Sequence, residues 1–239
     1  MAEAPHAPWA LRGEVIVALV RSGAGGGGRG GGRGRRLPAG VRALPGPAVL
    51  VGCRYTESPV GPYVELSVAE PARLGLRPGL CVTSMVVSEA AAKVGSLLNW
   101  GLPATLGSLE WSADGDVRVL RWVDGGVEVR AACGRVAVPA VLPMRAVQAR
   151  GDGPVLVPRR LAALMRFGPV SVSVTEASAS AAGWAWLAGE HRGAVLSSAR
   201  MLLRPARHPS GMLSSFRAPL QAPEPRLSYR PEAAAEALQ

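Results

Sequence analysis

The sequence predicts a mainly β protein built on an antiparallel barrel or sandwich, and three observations carry that reading. Short Val-rich runs recur along the chain, bounded by Gly, Pro, Asp or Asn. Asp-Gly pairs in "SADGD" and "VDGG" mark hairpin turns. With 239 residues, 48% of them hydrophobic, the chain can bury a large core. Only 5% are aromatic, so Val, Leu and Ala must fill that core, with six tryptophans as its large pieces.

Taken in order, the strand candidates are "VIVALV", "AVLVGCRYTE", "YVELSVAE", "LCVTSMVVS", "LGSLEWSA", "DVRVLRWVD", "GVEVRAACGRVAV", "VSVSVTEA" and "AVLSSARMLL". Helix is the minority. "SEAAAKVGSLLNW" is the clearest case, with Ser88 as its expected N-cap, and "PRRLAALMRFG" is a second. Residues 22–36 read "SGAGGGGRGGGRGRR", which has too little to bury to offset the entropy of ordering, and is expected to be a flexible insertion. The expected organisation is one barrel domain over residues 1–218, carrying that insertion, and a frayed tail over residues 219–239.

The formal charge is +10, from 27 basic and 17 acidic side chains, and every basic one except Lys93 is arginine. Together with 30 glycines this bias fits a GC-rich coding sequence. Nucleic-acid binding through the Gly/Arg-rich loop ranks last among the readings, because the loop has no aromatic residue to stack on a base. Cys53, Cys81 and Cys133 each sit in apolar surroundings, as buried thiols of a reducing compartment would, and "VIVALV" is too short for a membrane span. The expected location is cytoplasmic, with no membrane association; a homo-oligomer is compatible with the pattern but not demanded by it. His6, His191 and His208 lack partners at ligand spacing, so no metal is expected. "RGD" at Arg150 to Asp152 reads as a loop tip.

In "CRYTESPVGPYVEL", alternation puts Tyr55 and Glu57 on one strand face before Pro59, Gly61 and Pro62 break the strand and Tyr63 and Glu65 resume it. If that face is interior, Glu57 is a buried carboxylate suited to acid or base work. Facing water on an edge strand, it is an ordinary surface charge. The second stretch of interest is "GSLLNWGLPATLG", where a helix ends in Asn99 and Trp100 and a Gly-Leu-Pro turn leads to Ala104 and Thr105.

"RYTES", followed by a helix end and a G-x-P turn into "LG", resembles the acetoacetate decarboxylase superfamily, whose stretches read roughly "YTES" and "GRE…YPKKLG". The likeness extends over about residues 8–205, with "APWALRGE" similar to the family's opening. The resemblance implies a closed antiparallel barrel or cone with a few short helices. It also implies a pocket where a lysine amine forms a Schiff base with a β-keto acid that then loses carbon dioxide, with no cofactor. On this chain the nucleophilic lysine falls at Ala104 and its neighbour at Thr105, and neither carries an amine.

The family's glutamate carries over to Glu57 and its N-terminal arginine, approximately, to Arg12; its second acidic residue has no counterpart in "ALPGPAVLVG", and Ser96 stands where the family often has arginine. The expected function is binding of a small organic acid, keto acid or related metabolite without Schiff-base decarboxylation. Glu57 is the candidate catalytic group, and Arg12, Tyr55, Tyr63, Asn99, Trp100, Pro103, Ala104 and Thr105 are the expected pocket. The alternative is an active decarboxylase or lyase of the same fold working through Lys93 or Glu57. Lys93 follows Glu89 by four residues, the spacing of a solvated helix pair.

Overall fold

The computed structural model describes residues 4–20, 37–175 and 183–209. The insertion at 22–36 and the tail at 219–239 therefore lie outside the described residues. The strands are β1 (Trp9–Val20), β2 (Val41–Ala43), β3 (Ala48–Glu57), β4 (Tyr63–Leu74), β5 (Arg77–Val87), β6 (Ala104–Leu106), β7 (Leu109–Asp114), β8 (Val117–Trp122), β9 (Val127–Ala132), β10 (Val138–Arg150), β11 (Gly153–Val174) and β12 (Gly189–Leu203), with one α-helix, α1 (Ala90–Trp100).

The sheet closes on itself. Its order runs β10-β5-β4-β3-β1-β12-β11, and β11 pairs again with β10. The seam is narrow: β10 meets β5 through a single parallel pairing, Ala146 with Leu80. β11 forks, with Gly153 to Met165 pairing with β10 and Val170 to Val174 turning to β9, which carries the β9-β8-β7 meander away from the ring. The Asp-Gly turns join β7 to β8 and β8 to β9 as expected.

Alternation divides β1, β3 and β4 between two cores. Val15, Cys53 and Ala69 point into the ring, whereas Ile16, Leu50, Leu66 and Val68 point outward against Leu120, Val129 and Trp122 of the meander. Strands covered on both faces need apolar residues at every position, which is why "VIVALV" and "AVLVGC" show no polar alternation. In the outer core Trp122 meets Trp184 edge-on, with centroids 5.4 Å apart.

α1 plugs one end of the ring, burying Ala92, Gly95, Ser96 and Trp100 along one face. Trp100 packs edge-on against Trp9 at 5.1 Å and donates its indole N–H to the Arg204 carbonyl at 2.9 Å. Asn99 clamps the N-terminal segment: its Oδ1 accepts the Ala7 N–H at 3.0 Å and its Nδ2 donates to the Pro5 carbonyl at 2.9 Å. Gly101 ends the helix in the left-handed region, φ 65°, donating its N–H to the Leu97 carbonyl. No helix among the described residues is long and apolar enough to cross a membrane.

Two helix expectations are corrected. "PRRLAALMRFG" lies within β11. Leu161, Leu164 and Met165 satisfy helical spacing, but Leu161, Met165 and Phe167 equally satisfy alternation, and pairing with β10 and β12 on either side decides for the strand. Ser88 is not the N-cap of α1; Glu89 occupies that place without a side-chain bond, and the Ser88 hydroxyl instead accepts the Val64 N–H at 2.9 Å.

Gly95 is where Trp9 rests on the helix, and a Cβ there would stand 2.4 Å from the indole ring. Gly95→Ala is therefore expected to cost about 1–3 kcal/mol by overpacking, against a helix-propensity gain of at most about 1 kcal/mol. Denaturant unfolding should show a net loss; a more stable variant would mean that Trp9 does not sit there.

Candidate functional site

The inside of the ring is an open-ended cavity of about 470 Å³. Its walls come from alternate residues of the ring strands, among them Val15 and Val17 of β1, Val49 and Val51 of β3, and Leu161 and Met165 of β11. The mouth is framed by Leu19, Leu142, Phe167 and Arg192, with Phe167 60% exposed. At the other end, toward the α1 plug, the walls give way to Cys53, Tyr55, Glu65, Ser67 and Arg159.

These deep residues supply nearly all the polarity of the site. On β4, alternation from Tyr63 through Glu65 and Ser67 to Ala69 turns a carboxylate and a hydroxyl inward. The Ser67 hydroxyl donates to Glu65 Oε1 at 3.2 Å. Burial pushes the Glu65 carboxyl above its ordinary value, while the Arg159 guanidinium and the Ser67 hydroxyl pull it back. Nε and Nη2 of Arg159 are buried and have no hydrogen-bond partner among the described residues. A guanidinium never sheds its proton in a protein, so Arg159 presents a fixed positive charge and two unused donors to an apolar chamber.

Burial likewise pushes the Cys53 thiol and the Tyr55 phenol well above their ordinary values. Neither is an activated nucleophile, since thiolate and phenolate are the forms that desolvation penalises. Tyr55 and Tyr63 pack with ring centroids 4.8 Å apart.

The structure separates the residues that the sequence suggested. Tyr55 lines the cavity, and Tyr63 and Ala104 belong to the same buried cluster around its deep end, without forming its wall. Asn99 and Trp100 serve the plug described above. Pro103 and Thr105 are exposed, and the Thr105 hydroxyl donates to the Met85 carbonyl at 3.0 Å. Arg12 and Glu57 are paired at 3.3 Å on the outer surface, their side chains 57% and 64% exposed.

Alternation alone would have carried Glu57 inward with Tyr55. A β-bulge prevents it: Gly13 pairs with Tyr55 but Arg12 pairs with Glu57, so Thr56 is an extra residue and the side-chain parity changes. The interior acid is Glu65 instead, visible in the sequence as the residue two after Tyr63. Arg159 was hidden by the helical reading of its segment. Lys93, the chain's single lysine, is exposed on α1 and does not line the cavity.

Because Glu65 takes up a proton more readily folded than unfolded, its contribution is intact at low pH. It is lost as pH rises past the ordinary value of 4.5 toward the raised folded value. The unfolding free energy of the native chain should therefore fall relative to Glu65→Gln across that interval. Parallel stability curves for the two proteins from pH 4 upward would show that Glu65 is not desolvated.

No protein-family model matches the chain, and no curated protein matches it in sequence. Solved structures match it in fold. Acetoacetate decarboxylase from Legionella pneumophila subsp. pneumophila str. Philadelphia 1 is 15% identical, with a TM-score of 0.61, over 87% of this chain and 89% of that one. The enduracididine biosynthesis enzyme MppR, in complex with pyruvate, is 17% identical, with a TM-score of 0.62, over 86% of this chain and 91% of that one. An acetoacetate decarboxylase-like enzyme from Sphingomonas wittichii RW1 is 13% identical, with a TM-score of 0.58, over 84% of this chain and 92% of that one. At such identities the likeness is one of fold, and the closed sheet with its helical plug is the acetoacetate decarboxylase fold.

Proposed function

We propose that this chain binds an organic acid inside the ring, with the ligand carboxylate on Arg159 beside Glu65, and that it does so without Schiff-base chemistry. The observation that carries the reading is Arg159, half-buried on the wall of an aliphatic chamber with its Nε and Nη2 buried and unpartnered among the described residues. An unused buried donor costs about 1–3 kcal/mol, more when it is charged, and a carboxylate oxygen would satisfy it through a charge-assisted bond. Ligands with two coplanar oxygens suit the guanidinium fork best.

Glu65 makes the site more than a cation. Protonated, it donates a hydrogen bond to a second ligand oxygen; ionised, it repels a carboxylate, so acid binding favours the protonated form. A keto group beside the carboxylate is a fitting acceptor for that proton, consistent with the pyruvate held by one protein of the same fold. Imine formation has no amine to begin it, because the turn that would present one carries Ala104 and Thr105, and Lys93 lies on the exposed face of the plug.

Three measurements test this. Pyruvate and longer carboxylic acids should raise the melting temperature of the native chain, and Arg159→Met should abolish the rise while remaining folded, since methionine replaces an unpaired buried charge with a side chain of similar length. Treatment with pyruvate and borohydride should leave the protein mass unchanged, and acetoacetate should lose carbon dioxide no faster than in buffer. Covalent mass on Lys93 would overturn the non-imine reading, and an undiminished ligand shift in Arg159→Met would overturn the placement of the carboxylate.

A further inference from the structure

The size and polarity of the cavity say which acids it suits. At about 470 Å³ it equals roughly 15 water-sized volumes of ~30 Å³ each. A ligand the size of pyruvate, seated on Arg159, would leave most of that space to water or to void. Neither fills it well. The walls between the polar end and the mouth are Val17, Val51, Val82, Leu161, Met165 and Leu196, none of which offers a hydrogen bond to water. At the mouth a polar group returns with the exposed Arg192.

We infer that the cavity takes a carboxylic acid with an extended apolar tail, its head on Arg159 and Glu65 at the deep end and its tail running along the aliphatic walls toward Leu19, Leu142 and Phe167. This rests on the placement of a carboxylate on Arg159 and adds the tail. The volume leaves room for an extended tail beyond the head. Two features of the mouth fit a tail that reaches it. Leu19, Leu142 and Phe167 are 50%, 39% and 60% exposed, large apolar side chains kept at an opening where polar ones would cost nothing. All three side chains line the cavity. The ligand class is thus a medium-chain fatty acid, or an aromatic acid of similar length.

The test is a chain-length series on the native protein, followed by calorimetry: acetate, butanoate, hexanoate, octanoate and decanoate, with decan-1-ol and pyruvate alongside. Each methylene added against an apolar wall should tighten binding about fourfold, so octanoate should bind on the order of a hundredfold tighter than butanoate. The gain should level off near the length that fills the cavity. Decan-1-ol should bind at least tenfold more weakly than decanoate, and Arg159→Met should erase that difference.

Affinity that stays flat along the series while pyruvate binds would overturn the tail and leave the organic-acid reading standing. A steep series with decan-1-ol as tight as decanoate would overturn the head placement, and with it that reading. Failure of every acid to bind overturns both. Loss of decanoate binding in Arg192→Ala, with Arg159→Met unaffected, would reverse the orientation and sink the inference. Should Arg159→Met not fold, the comparison of acid with alcohol on the native chain decides the head placement by itself.

Discussion

A sheet that closes into a ring must send every second side chain inward, and almost everything else about this molecule follows from that constraint. The inward set is confined: whatever it contains shares one chamber, whichever strand it came from. Here the set is aliphatic except near the plug, where β4 contributes Glu65 and Ser67 and β11 contributes Arg159. The same alternation puts the outward set of β1, β3 and β4 against the β7-β8-β9 meander, so these strands are held between two cores and have no solvent face over much of their length. Register slips are costly in such strands, because a one-residue shift would move Glu65 into the outer core and Leu66 into the chamber.

Against that background Glu65 and Arg159, two ionisable groups on the wall of one chamber, are a source of tension. Burial disfavours ionised Glu65 and leaves two donors of Arg159 unused. A chamber filled by hydrophobic side chains would be more stable. Buried polar groups without partners cost free energy, and the binding proposed above would offset it by supplying the acceptors that the protein does not. Burial raises the Cys53 thiol and the Tyr55 phenol nearby, so neither side chain is held as a ready nucleophile.

The helix packs on the buried cluster that includes the deep residues Cys53 and Tyr55. Trp9 and Trp100 meet edge-on across Gly95, and Asn99 ties down the segment before β1 through two backbone bonds. The turn after Trp100 runs straight into the short strand β6, with Ala104 buried and Thr105 bonded to Met85, and so seats β6 against β5.

Local signals were enough for the mainly β class, most strand positions, the Asp-Gly hairpins and α1, because each depends on residues a few positions apart. The sequence also contained Glu65 at the right spacing from Tyr63. What it could not decide was which face is inside, because strands buried on both sides lose their polar alternation, and a single extra residue at Thr56 reverses the parity that would have turned Glu57 inward. Nor could it pair Glu65 with Arg159, which lie on strands brought together only by ring closure, or distinguish strand from helix in "LAALM", where both periods fit. Those outcomes were settled by tertiary structure, since the free energy that separates them comes from contacts between residues far apart in the chain.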